Sequence, residues 1–143
     1  MKCFLVMVHH DGEPYTSDCD YQYHKLICAN RARRARRIGE EQYGGYGYDR
    51  VVRVQRLRFR TLGDWQAFQS FRRYPEWRKV LEEVYDLGFV HMRLPPFQED
   101  SILPWVLAQY KLPGFGNLEG HPCLSRVVSL LYRMGRDRAL GCP

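Results

Sequence analysis

The chain begins with an apolar run that a turn-rich segment interrupts. Residues 2–8 read KCFLVMV, a sequence that is apolar and β-branched enough to form a buried strand. The next six residues, HHDGEP, include glycine and proline, which disfavour regular structure. We therefore predict a first strand over residues 2–8 and a loop over residues 9–14.

A charged helix is predicted after this loop. Ser17 with Asp20 three residues later resembles a capping box, and Gly39 stands where a helix C-cap is expected. The predicted helix runs from about Asp18 to Ile38, and its second half, ANRARRARR, is rich in arginine. A stripe of residues at helical spacing supports this helix. Its members are Tyr21, His24, Cys28, Ala32 and Ala35.

Segment 50–60, RVVRVQRLRFR, predicts a long strand whose alternation of apolar and polar residues changes phase midway. One extra residue near Gln55 would restore a single apolar face, which is typical of a β-bulge. The residues that would then point inward are Val52, Val54, Leu57 and Phe59. The residues that would point outward are Arg53, Arg56, Arg58 and Arg60.

Helices are predicted for most of the second half. Thr61 with Asp64 repeats the capping-box spacing, and Pro75 can be the first residue of a further helix that ends at Gly88. Residues 89–94, FVHMRL, predict a short strand. Two more helices are predicted, from residue 100 or 101 to about residue 110 and from His121-Pro122 onward.

The predicted order β-α-β-α-β is typical of helices packed on a sheet, so we predict an α+β fold with a ferredoxin-like layout. The missing strand would come from splitting residues 46–60 into a hairpin, or from a partner chain. Residues 1–96 would form the core domain, and residues 97–143 a helical extension packed on the same domain. The length of 143 residues and the apolar content of 45% suit one globular domain.

The composition indicates the compartment in which the protein is expected and whether it is expected to bind a metal. No apolar run approaches the roughly 20 residues of a membrane span. The five cysteines are odd in number and form no CxxC pair, which favours reduced thiols in the cytoplasm, or in the nucleus of a eukaryotic host. Cys19, His24 and Cys28 are candidate metal ligands that His121 and Cys123 would complete, but their spacing matches no structural zinc pattern. We expect no metal and no cofactor.

Positive charge is concentrated in one stretch. The formal net charge is +6, yet residues 31–60 alone carry ten arginines and three acidic residues. The rest of the chain is therefore close to neutral. A local basic surface of this kind is the electrostatic footprint of a polyanion-binding protein. The residues we predict to bind it are Arg31, Arg33, Arg34, Arg36, Arg37, Arg53, Arg56, Arg58 and Arg60.

A tyrosine-rich loop follows the arginine-rich segment. Tyr43, Tyr46 and Tyr48 alternate with glycines, and such rings can stack on unpaired bases or form a protein interface. A plain packing role for these rings is the third interpretation.

The stretch 58–89 resembles the strand–helix–strand half of dimeric α/β-barrel proteins. The resemblance covers about a quarter of the chain and carries no functional signature. A small enzyme of that type would have His9, His10 or His91 near a pocket. No catalytic motif stands out, however, and surface or structural histidines are the simpler interpretation.

These patterns favour a non-enzymatic accessory protein that binds DNA, RNA or a nucleoprotein complex. The first alternative is an interaction or inhibitor protein, such as a viral or phage protein, that binds an acidic protein surface. The second is the small enzyme. A homodimer is compatible with all three because an exposed edge strand can pair with a second copy.

Overall fold

An α+β class is confirmed by a computed structural model of the chain, in which residues 2–13, 15–17, 19–44, 48–90 and 122–141 are described. This described part contains a three-stranded antiparallel sheet and four helices. The strands are β1 (Lys2–His10), β2 (Tyr21–Ala29) and β3 (Asp49–Arg56). The helices are α1 (Ala32–Tyr43), α2 (Leu62–Arg72), α3 (Pro75–Val90) and α4 (Pro122–Ala139).

The chain divides into two compact units, Met1–Arg58 and Phe59–Pro143. The first unit holds the elements β1-β2-α1-β3, and the described elements of the second are all helices. A ferredoxin-like order is not confirmed, because two strands precede the first helix. Residues 48–60 contain one strand where a split hairpin was predicted. No helix in the described ranges is long and apolar enough to cross a membrane.

The predicted helix from Asp18 to Ile38 is wrong over its first half. Residues 21–29 form β2, which pairs with β1 in antiparallel register from Lys2 opposite Ala29 to His10 opposite Tyr21. The reason for the error lies in the burial pattern. The neighbouring residues Leu26 and Ile27 are both buried although they point to opposite faces, so burial does not alternate along this end of the strand.

Strand β1 lies at the centre of the sheet, whose order is β2-β1-β3. The predicted β-bulge is present, but at a different residue. Pairing of β1 with β3 shifts between Met7 opposite Arg53 and Val8 opposite Val51, which leaves Val52 as the extra residue. The prediction placed the bulge near Gln55 because it included the apolar residues after Arg56, where β3 has already ended.

Helix α1 packs on one face of this sheet. A Cβ atom added at Gly39 would lie 2.9 Å from Val6 Cγ1 and 3.4 Å from Val51 Cγ2, so glycine permits the close approach of helix and sheet. Gly39 lies inside α1 and is not the C-cap that was predicted, since the helix continues to Tyr43. The buried cluster between α1 and the sheet comprises Phe4, Val6, Val8, Ile27, Ala29, Ala35 and Val51.

Three of the helix starts predicted for the second unit are confirmed. Thr61 is the N-cap of α2, and its hydroxyl accepts a hydrogen bond from the Asp64 amide at 3.1 Å. Pro75 begins α3 and Pro122 begins α4, as their fixed φ angle favours. The helix predicted for residues 100–110 and the domain boundary predicted at residue 96 fall outside the described residues.

Two glycines bring α3 and α4 into backbone contact. A Cβ added at Gly88 would lie 2.1 Å from the Tyr132 carbonyl oxygen, and one added at Gly135 would lie 2.1 Å from the Tyr85 carbonyl oxygen. Gly88 was predicted to end its helix, but α3 continues to Val90. The first two residues of the strand predicted over 89–94 are therefore helical, and the others lie outside the described residues.

Candidate functional site

The arginine-rich segment lies at the start of α1. Arg31 is the N-cap residue, and it makes no side-chain hydrogen bond to the helix end. The first turn contains no acidic residue and includes Arg33 and Arg34. The longer helix predicted from the sequence would have placed these arginines at its C-terminal end, where the helix dipole favours cations. They lie instead at the positive end of the dipole, where cations reduce helix stability.

An open cleft of about 310 Å³ lies at this end of the helix. We name it the arginine cleft, and its lining residues are Asn30, Arg31, Arg33, Arg34 and Arg37. The four arginines are exposed, and no carboxylate in the described part of the chain forms an ion pair with any of them. Guanidinium groups bind phosphate or carboxylate oxygens through paired N–H donors, so the cleft is suited to an anion.

Asn30 is the residue of the cleft that the sequence did not single out. It stands between the last residue of β2 and the N-cap of α1. Once a strand is recognised up to Ala29, a polar residue beside the first arginine marks the strand-to-helix turn. The mistaken helix from Asp18 to Ile38 hid this signal.

Arg36 has a different role from its neighbours. Its Nε lies 3.1 Å from Glu40 Oε1, and its Nη2 donates to the Val51 carbonyl oxygen at 3.2 Å. The first contact lies within α1, and the second joins α1 to the edge strand β3. Arg36 is therefore occupied within the fold, although it was predicted to bind a polyanion with the others.

The four arginines predicted to share one face of a long strand do not do so. Residues directly opposite each other on paired strands share a face, and Arg53 lies opposite Met7 whereas Arg56 lies opposite Phe4. Met7 and Phe4 are three residues apart, so their side chains point to opposite faces. Arg53 Nη2 also contacts Met7 Sδ at 3.6 Å. Arg58 and Arg60 are exposed, lie beyond the end of β3 and belong to different units.

Tyr43 and Tyr48 do not lie at the arginine cleft. Tyr43 is at the C-terminal end of α1, and a twelve-residue helix is about 18 Å long. Its ring packs against the unit's core, with Lys25 Nζ at 5.3 Å from the ring centroid. Tyr48 is half exposed, and its carbonyl oxygen accepts a hydrogen bond from the Asp11 amide at 2.7 Å. Tyr46 falls outside the described residues.

A network that the sequence did not predict joins all three strands. Asp49, the first residue of β3, accepts a hydrogen bond from the Tyr23 hydroxyl at 2.7 Å and lies 2.5 Å from His10 Nδ1. The His10 ring also packs on Tyr21, with 4.6 Å between centroids. The hydrogen bonds from Tyr23 and His10 lower the pKa of the Asp49 carboxyl. Burial and the same carboxylate raise the pKa of Tyr23.

His9 belongs to a second group on the opposite face from His10. Its Nε2 lies 3.1 Å from Asp11 Oδ1 and 3.8 Å from Asp20 Oδ2, and the three ligand atoms lie within 4.8 Å of one another. A divalent cation could fit between these groups, although both carboxylates are open to solvent and Arg50 Nε lies 3.7 Å from Asp11 Oδ2.

His9 and His10 are neighbours on β1, and His24 and Cys28 both lie on β2. Neighbouring strand residues point to opposite faces, so His9 and His10 do not converge, and His91 is outside the described residues. On β2, Cys28 is the fourth residue after His24, a distance of about 13 Å along a strand. The one possible metal group found among the described residues contains neither of them, nor Cys19.

The network around Asp49 predicts a pH-dependent stability. A lowered carboxyl pKa stabilises the fold above the unfolded value near 3.9, and this contribution is lost as the pH falls through the folded value. We expect Asp49→Asn to lower the unfolding free energy of the first unit by about 1 kcal/mol at pH 7 and by less at pH 3. Hydrogen exchange of peptides from residues 2–58 measures this difference. Asp137→Asn, at an exposed residue, is the control. An Asp49→Asn protein that loses the same unfolding free energy at both pH values would contradict the prediction.

Comparisons of the chain with known protein families, curated proteins and solved structures found no match.

Proposed function

We propose that this protein binds a polyanion, with nucleic acid as the favoured ligand, through the arginine cleft. The observation that carries the proposal is the placement of four exposed arginines around the positive end of α1, without acidic partners among the described residues. Arg31, Arg33, Arg34 and Arg37 would hold phosphate groups, and Asn30 would add a side-chain hydrogen bond.

The placement of these arginines at the N-terminal end of α1 reduces the stability of the helix. Cations in the first turn oppose the helix dipole by roughly 0.3–1 kcal/mol each. Like charges at spacings of three and four residues, such as Arg34 with Arg37 and Arg33 with Arg37, add a few tenths of a kcal/mol per pair. A local sequence that works against its own helix is expected at functional sites. A bound phosphate would reverse both costs, because it brings negative charge to the same place.

Phosphate contacts of this kind give affinity without sequence specificity. The proposal therefore concerns the nucleic-acid backbone and not a base sequence. An acidic protein surface presents carboxylates to the same guanidinium groups. The two ligands differ in charge density, so the salt dependence of binding distinguishes them.

Fluorescent 20-mers of single- and double-stranded DNA and RNA test the proposal when binding is measured from 50 to 300 mM NaCl. We expect micromolar or tighter binding at the lowest salt. If four phosphates are neutralised, the logarithm of the binding constant should fall with the logarithm of salt with a slope of about −3 to −4. A polyglutamate of equal charge is the matched competitor, and we expect it to compete weakly.

Two results would overturn the proposal. One is the absence of binding to every nucleic acid at 50 mM NaCl. The other is equal competition by polyglutamate, which would favour an acidic protein as the partner and would direct the search toward it.

A further inference from the structure

Two cysteines face each other across the hairpin of the first unit. The register of β1 and β2 places Cys3 directly opposite Cys28, and the two sulfur atoms are 2.8 Å apart. Cys3 is 1% exposed, and Cys28 is half buried. Both side chains lie on the sheet face opposite α1, because Phe4 and Ile27, the next residues along each strand, belong to the cluster beneath that helix.

The backbone here already has the geometry of a disulfide. Opposed residues in an antiparallel pair have Cα atoms about 4.5 or 5.5 Å apart, and disulfides require roughly 4.4–6.8 Å. Both thiols are held on ordered strands, so bonding needs only small side-chain rotations.

We propose that Cys3 and Cys28 form a reversible disulfide when the protein meets a small disulfide oxidant such as oxidised glutathione. The Cys28 thiolate, the more accessible of the two, attacks one glutathione sulfur and releases the first glutathione thiolate. The Cys3 thiolate then attacks Cys28 Sγ and releases the second. Two protein thiols lose two protons and two electrons, and one glutathione disulfide becomes two glutathione thiols.

The bond would fix the base of the arginine cleft. Cys28 stands two residues before Asn30, and Cys3 belongs to the central strand. Oxidation therefore ties the strand-to-helix turn of α1 covalently to β1. It also closes a loop from residue 3 to residue 28, which restricts the unfolded chain and stabilises the folded one.

The test is oxidation of the native full-length Cys19→Ser protein with oxidised glutathione, followed by trypsin digestion without reduction. The Cys19 substitution is needed because cleavage after Lys2, Lys25 and Arg31 leaves Cys3 and Cys19 in one peptide, residues 3–25. We expect that peptide to be linked to peptide 26–31. We also expect the midpoint of thermal unfolding of the first unit to rise by several degrees and to fall again with dithiothreitol.

The double variants Cys19→Ser with Cys3→Ser and Cys19→Ser with Cys28→Ser are the controls. Neither should yield the linked peptide, and the one that keeps Cys28 should accumulate a glutathione adduct. The proposal is overturned if the linkage forms only after denaturation. It is equally overturned if both thiols stay reduced while circular dichroism shows a folded protein.

Discussion

Reversing two charges in the arginine cleft, with Arg33→Glu and Arg34→Glu together, is expected to weaken nucleic-acid binding about 100-fold at 100 mM NaCl. Two charge-assisted contacts at roughly 1.5 kcal/mol each give a loss of this size. The slope of binding against salt should also become shallower by about two. Fluorescence anisotropy across the salt series measures both quantities.

The position of these residues separates binding from folding. Both lie in the first turn of α1, where glutamate complements the helix dipole. The double variant should therefore be at least as stable as the parent protein. A loss of binding then has its cause in the cleft.

A second pair of reversals is the matched control. Arg78 and Lys79 are adjacent, exposed and helical, as Arg33 and Arg34 are. Either double variant lowers the formal net charge from +6 to +2, since two cations become anions. We expect the control to lose less than threefold in affinity. If both double variants weaken binding equally, the effect is one of net charge, and the cleft is not the site.

Replacing Gly135 by alanine is expected to destabilise the second unit by about 3 kcal/mol or more. In an exposed helix the same change would stabilise the fold by up to about 1 kcal/mol. Here the new methyl group would lie 2.1 Å from the Tyr85 carbonyl oxygen. That oxygen belongs to the backbone of α3 and cannot rotate away. The helices must separate, and the burial of Tyr85 and Tyr132 is reduced.

Tryptophan fluorescence is a selective probe for this experiment. Trp65 and Trp77 belong to the second unit, and the sequence of the first unit contains no tryptophan. Urea unfolding followed by tryptophan fluorescence therefore reports on that unit. Gly88→Ala should destabilise the unit to a similar extent as Gly135→Ala. Gly63→Ala is the control, because its nearest neighbours are the flexible Arg126 nitrogens at 3.6 and 3.9 Å. A Gly135→Ala protein as stable as the control would disprove close packing here.

Local signals in the sequence located the starts of α2, α3 and α4 correctly, whereas no helix follows the capping-box spacing of Ser17 and Asp20. The Thr61 cap, and proline at positions 75 and 122, act through bonds and angles within one turn, so nearby residues suffice to recognise them. The roles of the glycines were harder to predict, because a glycine is found both at helix C-caps and where two elements pack closely. Gly39 and Gly88 were predicted as caps, and only their neighbours in space, Val6 and Tyr132, reveal the other role.

Only part of the site was predicted, because the rest depends on contacts between residues that are distant in sequence. The arginines from Arg31 to Arg37 were identified from charge alone, which needs no fold. Their surroundings depended on β2, whose pairing with β1 is a non-local property that helical spacing within residues 21–29 obscured. The bulge at Val52 then decided which arginines of β3 share a face. The network of Asp49 with His10 and Tyr23 joins three strands and had no signature in any one of them.

The central position of β1 also bears on aggregation. Its run CFLVMV has the high β-propensity and lack of charge that are typical of segments that assemble into cross-β fibrils. In the folded chain both of its edges are satisfied, by β2 on one side and β3 on the other. The edge strands β2 and β3 carry charged residues, among them Lys25 and Arg56, which oppose edge-to-edge association. Detachment of β3 would expose one edge of β1, the segment most prone to aggregate. The pairing of β3 with β1 therefore protects the protein against aggregation as well as stabilising the fold.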